Sequence, residues 1–175
     1  MSTAGSTVSL ALNVTMVVAV AIVGLNLLNV AGYAFPVEGI SMLPAINTNI
    51  AGGQSDLAIV VPAKLPSLTV GDIVVYWNSY FGEYVIHRIV QIQGSGAQEY
   101  AFVKGDDRNG CDQQPNGSCL PVTNGLIAGK VVLVISYLGL LMEKPYNYVL
   151  VAVLLFVMAM DYLVSRKDGR AEAPA

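Results

Sequence analysis

Charge is scarce in this chain. Only 12% of its 175 residues are Asp, Glu, Lys or Arg, about half the ~25% of an average soluble domain. With 54% hydrophobic residues, that deficit argues against a simple soluble globular protein and for a membrane. Clustered cations are missing too: the nine Lys and Arg form no patch, and the net charge is -3. Nucleic-acid binding needs phosphate neutralisation, so nucleic acid is not an expected partner. Histidine occurs once, as His87. Cysteine occurs twice, as Cys111 and Cys119, too few for a zinc site with so little else to coordinate, so no metal or cofactor is expected. There are no internal repeats and no low-complexity tract.

What is abundant is uncharged apolar sequence. Residues 8–28 carry no charge, and an apolar run of about 20 residues spans a bilayer as a helix. Asn13, Thr15 and Asn26 soften the run without breaking it. A cleaved signal peptide would carry a basic start and a shorter apolar core. Residues 1–7 hold no Lys or Arg, which favours an uncleaved anchor, although Ala31-Gly32-Tyr33-Ala34 has the small residues of a weak cleavage site. Residues 146–160 form a second uncharged run, extended by Tyr162-Leu163-Val164 past Asp161. Pro145 suits a helix start, and Tyr146, Tyr148 and Tyr162 stand where interfacial aromatic belts do. Arg166, Lys167 and Arg170 follow, and basic residues beside a span stay in the cytoplasm. Two spans then put both termini inside and the intervening segment outside. The polar tail after Val164 is expected to be disordered.

The segment between the spans reads as β-structure. Branched and aromatic residues concentrate at residues 57–61, 72–77, 84–92, 100–103 and 130–135, which predicts five strands. Residues 78–83 between the second and third hold Tyr80 and Phe81 in a hairpin loop. These aromatics either pack on the hairpin or dip into the lipid interface.

Chemistry-bearing residues lie in the same segment. Ser41, in Val37-Glu38-Gly39-Ile40-Ser41-Met42-Leu43-Pro44, follows closely on the first span. His87 shares a strand face with Val85 and Ile89, while Arg88 points the opposite way. A serine hydroxyl needs a base to become a nucleophile, and neutral histidine can serve near pH 7. Asp106, Asp107 and Asp112 crowd one turn-rich loop. The helices and distal Glu of an EF-hand are missing around it. Its functional reading is a carboxylate that orients the imidazole, as in a serine–histidine–aspartate triad. Cys111 and Cys119 enclose a short loop on the face assigned as oxidising, where a disulfide is expected. Asn116-Gly117-Ser118 fits the N-glycosylation acceptor pattern.

Taken in order, these stretches resemble the conserved boxes of type I signal peptidases, the S26 family. Ser41-Met42-Leu43-Pro44 resembles their Ser-Met-x-Pro nucleophile box, and Gly71-Asp72-Ile73-Val74-Val75 their next strand. Ile86-His87-Arg88 resembles the box in which archaeal and endoplasmic-reticulum members carry His where most bacterial members carry Lys. Lys104-Gly105-Asp106 resembles their Gly-Asp box, with Asp112 six residues on. Gly129-Lys130-Val131 and Ser136-Tyr137-Leu138-Gly139 resemble the last strand and its end, with Ser136 in place of Pro. The resemblance covers residues 37–140.

It implies a mainly β catalytic domain, of signal-peptidase-like fold, flanked by two transmembrane α-helices. The divisions are an anchor at 1–34, an extracytoplasmic peptidase domain at 35–144, a second span at 145–164 and a cytoplasmic tail at 165–175. The implied activity is a membrane-bound serine endopeptidase, multi-pass in the cell membrane, that removes signal peptides from exported proteins. Its partners would be signal-peptide-bearing pre-proteins and lipid, with the protein-export channel a further candidate. Ser41 would be nucleophile and His87 general base, with Lys104 the runner-up base. Asp112 is preferred as the partner of His87, and Asp106 is the alternative. Some relatives carry a Ser two residues before the nucleophile; here Gly39 stands there, which leaves the Ser41 backbone N–H as the oxyanion donor. Ile40, Met42 and Val85 are candidates for pockets that take small side chains. Competing readings are a non-catalytic subunit that binds pre-proteins and a membrane serine protease with other substrates.

Overall fold

A computed structural model describes residues 3–46, 55–143 and 146–171. They divide into two compact units, Leu28–Leu140 and a second made of Met1–Leu27 with Leu141–Ala175. The second unit holds two helices, α1 (Thr3–Val30, whose last turn belongs to the first unit) and α2 (Tyr146–Ala171). Along α1, Asn13–Val30 is long and apolar enough to cross a membrane, while the apolar stretch of α2, Asn147–Met160, is shorter. Val14, Val17, Val20, Val23 and Leu27 are exposed along α1. The expectation of a disordered tail after Val164 is corrected in part, because α2 continues to Ala171. Extending an existing helix adds one hydrogen bond per residue fixed, and Arg166, Lys167 and Arg170 favour the helical state. Pro145 and residues 172–175 lie outside the described residues.

The other unit is built on one antiparallel sheet of seven strands. In chain order these are β1 (Ala34–Val37), β2 (Asp56–Val61), β3 (Ile73–Asn78), β4 (Glu83–Gln93), β5 (Tyr100–Lys104), β6 (Val122–Thr123) and β7 (Ile127–Ile135). Their order across the sheet is β1-β2-β7-β3-β4-β5-β6. The five expected strands are present. β1 and β6 are additions to them, since Pro36 interrupts one and the other has two residues. β1 is an edge strand, where proline is tolerated.

Successive side chains on a strand point to opposite faces, and both faces of this sheet are covered. One core gathers Val74 and Tyr76 of β3, Ile89 of β4, and Ala101 and Val103 of β5. The other gathers Phe35 and Val37 of β1, Ala58 and Val60 of β2, Val75 and Ile86. Fully burying one such side chain contributes about 1.5–3 kcal/mol. Both cores matter to the site, because Tyr76 belongs to the first and Met42 and Ile46, on either side of Pro44, sink into the second. The β3–β4 register pairs Val74 with His87, Tyr76 with Val85 and Asn78 with Glu83. Tyr76, Asn78 and His87 therefore project from one face. At the hairpin tip the Asn78 Oδ1 accepts from the backbone N–H of Tyr80 at 3.0 Å, leaving Tyr80 and Phe81 exposed.

Candidate active site

Ser41 is positioned from below and from behind. Gly39 takes a left-handed backbone conformation, φ 83°, which glycine adopts without a Cβ penalty. Just past the serine, Met42 is buried at 3% exposure and anchors the turn in the core. The Leu43 N–H donates to the Ile40 carbonyl at 3.1 Å and the Ile46 N–H to the Met42 carbonyl at 3.0 Å. The Asp107 N–H donates to the Ser41 carbonyl at 3.0 Å, tying the serine to the acidic loop.

The serine hydroxyl meets the imidazole. Ser41 Oγ lies 3.0 Å from His87 Nε2, and Asp112 Oδ2 lies 2.5 Å from His87 Nδ1. With Nδ1 protonated and donating to Asp112, Nε2 is left as acceptor for the Ser41 hydroxyl. His87 is 8% exposed, so water competes little for either nitrogen. Asp112 is fixed by its own backbone: its N–H donates to the Val103 carbonyl at 2.8 Å, and its carbonyl accepts from Leu120 N–H at 2.7 Å. A disulfide joins Cys111, the residue before it, to Cys119, the pairing expected from the sequence.

The structure sorts the two candidate acids. Asp106 is turned to Arg88, with its Oδ1 2.8 Å from Nε and its Oδ2 2.6 Å from an Nη. Arg88 also donates to the Gly71 carbonyl at 2.8 Å. The guanidinium holds the Asp106 carboxyl below its ordinary range, against the opposing effect of burial. Asp106 thus ties its loop to β4 and makes no contact of its own with the imidazole among the described hydrogen bonds and ion pairs. Lys104, the runner-up base, donates to the Arg108 carbonyl at 3.0 Å.

Two contributors carry no role in the site from sequence alone, although Gly105 lies in the Gly-Asp stretch. Tyr76, fully buried, directs its phenol O–H at Asp112 Oδ2, the oxygen that His87 also uses. Asn78 Nδ2 reaches the phenol oxygen at 3.5 Å. Gly105 is the second. A Cβ at 105 would lie 2.5 Å from the Ser41 carbonyl oxygen and 3.1 Å from His87 Nε2. Glycine there allows the loop to pass directly behind the pair. Neither role carries a local signal beyond a glycine in a strand-to-loop junction and a polar-tipped aromatic on an apolar strand.

A groove of about 1000 Å³ opens over the site, walled in part by Ser41, His87, Met42, Val85, Phe35 and Tyr84. Of the three expected pocket residues, Met42 and Val85 line it, whereas Ile40 is 49% exposed and does not. Ser41, His87 and Asp112 can together perform nucleophilic attack with general-base assistance. No protein-family model matches the chain, and no curated protein matches it significantly.

Proposed function

We propose that this chain is a membrane-bound serine endopeptidase that removes N-terminal signal peptides from exported proteins. The observation that carries the reading is the continuous chain Ser41 Oγ–His87 Nε2, His87 Nδ1–Asp112 Oδ2, set in an open groove. The order of the motif stretches along the sequence supports the substrate class. His87 takes the proton from Ser41 as Oγ attacks the scissile carbonyl, and then returns it to the departing amine. Water, activated the same way, releases the acyl group from Ser41. The developing oxyanion takes the Ser41 backbone N–H, a type of donor often worth about 3 kcal/mol.

The membrane supplies the rest of the argument. A signal peptide is held in the bilayer with its cleavage site emerging at the surface, so a nucleophile for that bond must work near that depth. Ser41 stands 11 residues after the end of α1 at Val30. We read α1 and α2 as spans, with the β-unit on the extracytoplasmic face and pre-proteins and lipid as its partners. Protease shaving of sealed vesicles tests this: the β-unit should be cut only from the extracytoplasmic side. The exposed Tyr80–Phe81 tip suits the lipid interface. Emission from nearby Trp77, the one tryptophan, should then shift to the blue on liposome binding; an unchanged spectrum would remove that contact.

Cleavage of a pre-protein reconstituted in liposomes is the functional test, and its pH profile adds a sharper one. Activity should fall in acid, because a protonated imidazole cannot accept the Ser41 proton. Acid unfolding is separable from this. The Asp106 carboxyl titrates below its ordinary 3.8 in the fold. The Arg88–Asp106 pair therefore stabilises fully above about pH 4, and its contribution is lost only as pH falls through that depressed value. A flat profile down to pH 4 would argue against His87 as base.

Gly105→Ala is expected to cut kcat by about 100-fold, since displacing a reacting group by about 1 Å costs that much. The backbone carbonyl of Ser41 cannot swing away as a side-chain tip could. Steady-state kinetics on the purified variant decide it, and a parental rate would mean the loop relaxes harmlessly.

A further inference from the structure

We infer that Tyr76 is a positioning residue that sets the orientation and proton balance of the Asp112–His87 pair. The inference rests on the catalytic reading above for its consequence in rate, but its geometry stands alone. A buried tyrosine hydroxyl needs a partner, and many water-free acceptors would do. Here the acceptor is Asp112 Oδ2, the atom that also receives His87 Nδ1. One carboxylate oxygen is thus shared between a phenol and an imidazole. The tyrosine proton draws charge from that oxygen and fixes the carboxylate rotamer, so the imidazole is both aimed and held with less pull than a lone carboxylate would exert.

Burial, and then the bond to Asp112, push the Tyr76 hydroxyl up. It therefore stays a protonated donor across the working range. Asn78, itself 2% exposed, completes the chain from below. Glu38, Glu83 and Arg108 are charged residues that line the same groove as the imidazole. Ser41 comes from the turn after β1 and Asp112 from the loop after β5, while the Asp106 charge, felt by His87, is engaged by Arg88. Tyr76 is not part of the groove wall, so its influence on substrate must pass through Asp112.

The single histidine makes the test direct. Full-length chain with isotope-labelled histidine, in detergent micelles, gives one imidazole signal whose titration can be followed by NMR. Without the phenol proton, Asp112 pulls harder on the imidazolium. In Tyr76→Phe the imidazole midpoint should rise by about half a unit to one unit, the shift expected from losing one hydrogen bond. The acid limb of the cleavage profile should move the same way, with kcat about tenfold lower and KM unchanged. A 3-fluorotyrosine placed at position 76 keeps the shape and donates more strongly, so its midpoint should fall below the parent's. That second variant serves if Tyr76→Phe does not fold. Unmoved midpoints in folded protein would overturn the inference and reduce Tyr76 to core filler. Failure of the parent to cleave pre-protein would defeat the peptidase reading instead, while the NMR titration would still decide the coupling.

Discussion

Asp112→Asn is expected to lower kcat by about 10⁴, the cost of a carboxylate-to-amide change in a serine–histidine–aspartate triad. The reason is charge. Tyr76 and His87 donate to the same Asp112 oxygen, so in the variant the amide oxygen would keep both bonds. A neutral amide, however, no longer stabilises the imidazolium that forms as Ser41 gives up its proton. Size and packing change little, and the backbone of residue 112 keeps its bonds to Val103 and Leu120. Thermal stability and KM should stay near parental values, so the loss appears in kcat. Steady-state cleavage beside a melting curve checks this. A loss below tenfold would mean that the Asp112 charge does not support the imidazolium.

Ser41 and His87 are legible in the sequence for different reasons, one by its setting and the other by its rarity. His87 is the single histidine, and Ser41 follows a long apolar run beside Pro44. The alternation on β4, with His87 and Arg88 on opposite faces, is legible as well. Which acid follows which face is not. Asp106 and Asp112 lie in one loop, and their assignment depends on how β5 pairs with β4. That register sets Lys104 opposite Arg88, so the chain leaves β5 with Asp106 beside the guanidinium. The loop then returns Asp112 under the imidazole, stapled by the neighbouring disulfide.

Tyr76 is hidden for the same reason. Its contact with Asp112 needs the β3–β4 register that pairs Val74 with His87, a non-local fact with no trace in a strand's own residues. β1 is hidden because four residues with a central proline carry no strand pattern. It exists through pairing with β2, from Ala34 opposite Ile59 to Val37 opposite Asp56. The helical turns beyond Val164 are hidden because polar composition suits a disordered tail and the extension of an existing helix equally well.

The second large effect concerns the nucleophile itself. Ser41→Ala removes the atom that would bond to substrate, while the Ser41 carbonyl keeps its bond to Asp107 N–H. Met42 and Ile46 still anchor the turn, so folding and insertion should survive. His87→Ala removes the base, and Lys104 is engaged with the Arg108 carbonyl rather than with Ser41. Losing either nucleophile or base of such a triad costs about 10⁶ in kcat, and losing both costs little more. Cleavage of a pre-protein in liposomes by the parent, Ser41→Ala, His87→Ala and the double variant is therefore the most direct measurement. The expected result is cleavage by the parent and near-complete, non-additive loss in all three variants, each still folded and inserted. Cleavage by Ser41→Ala at the parental rate would contradict the proposed mechanism.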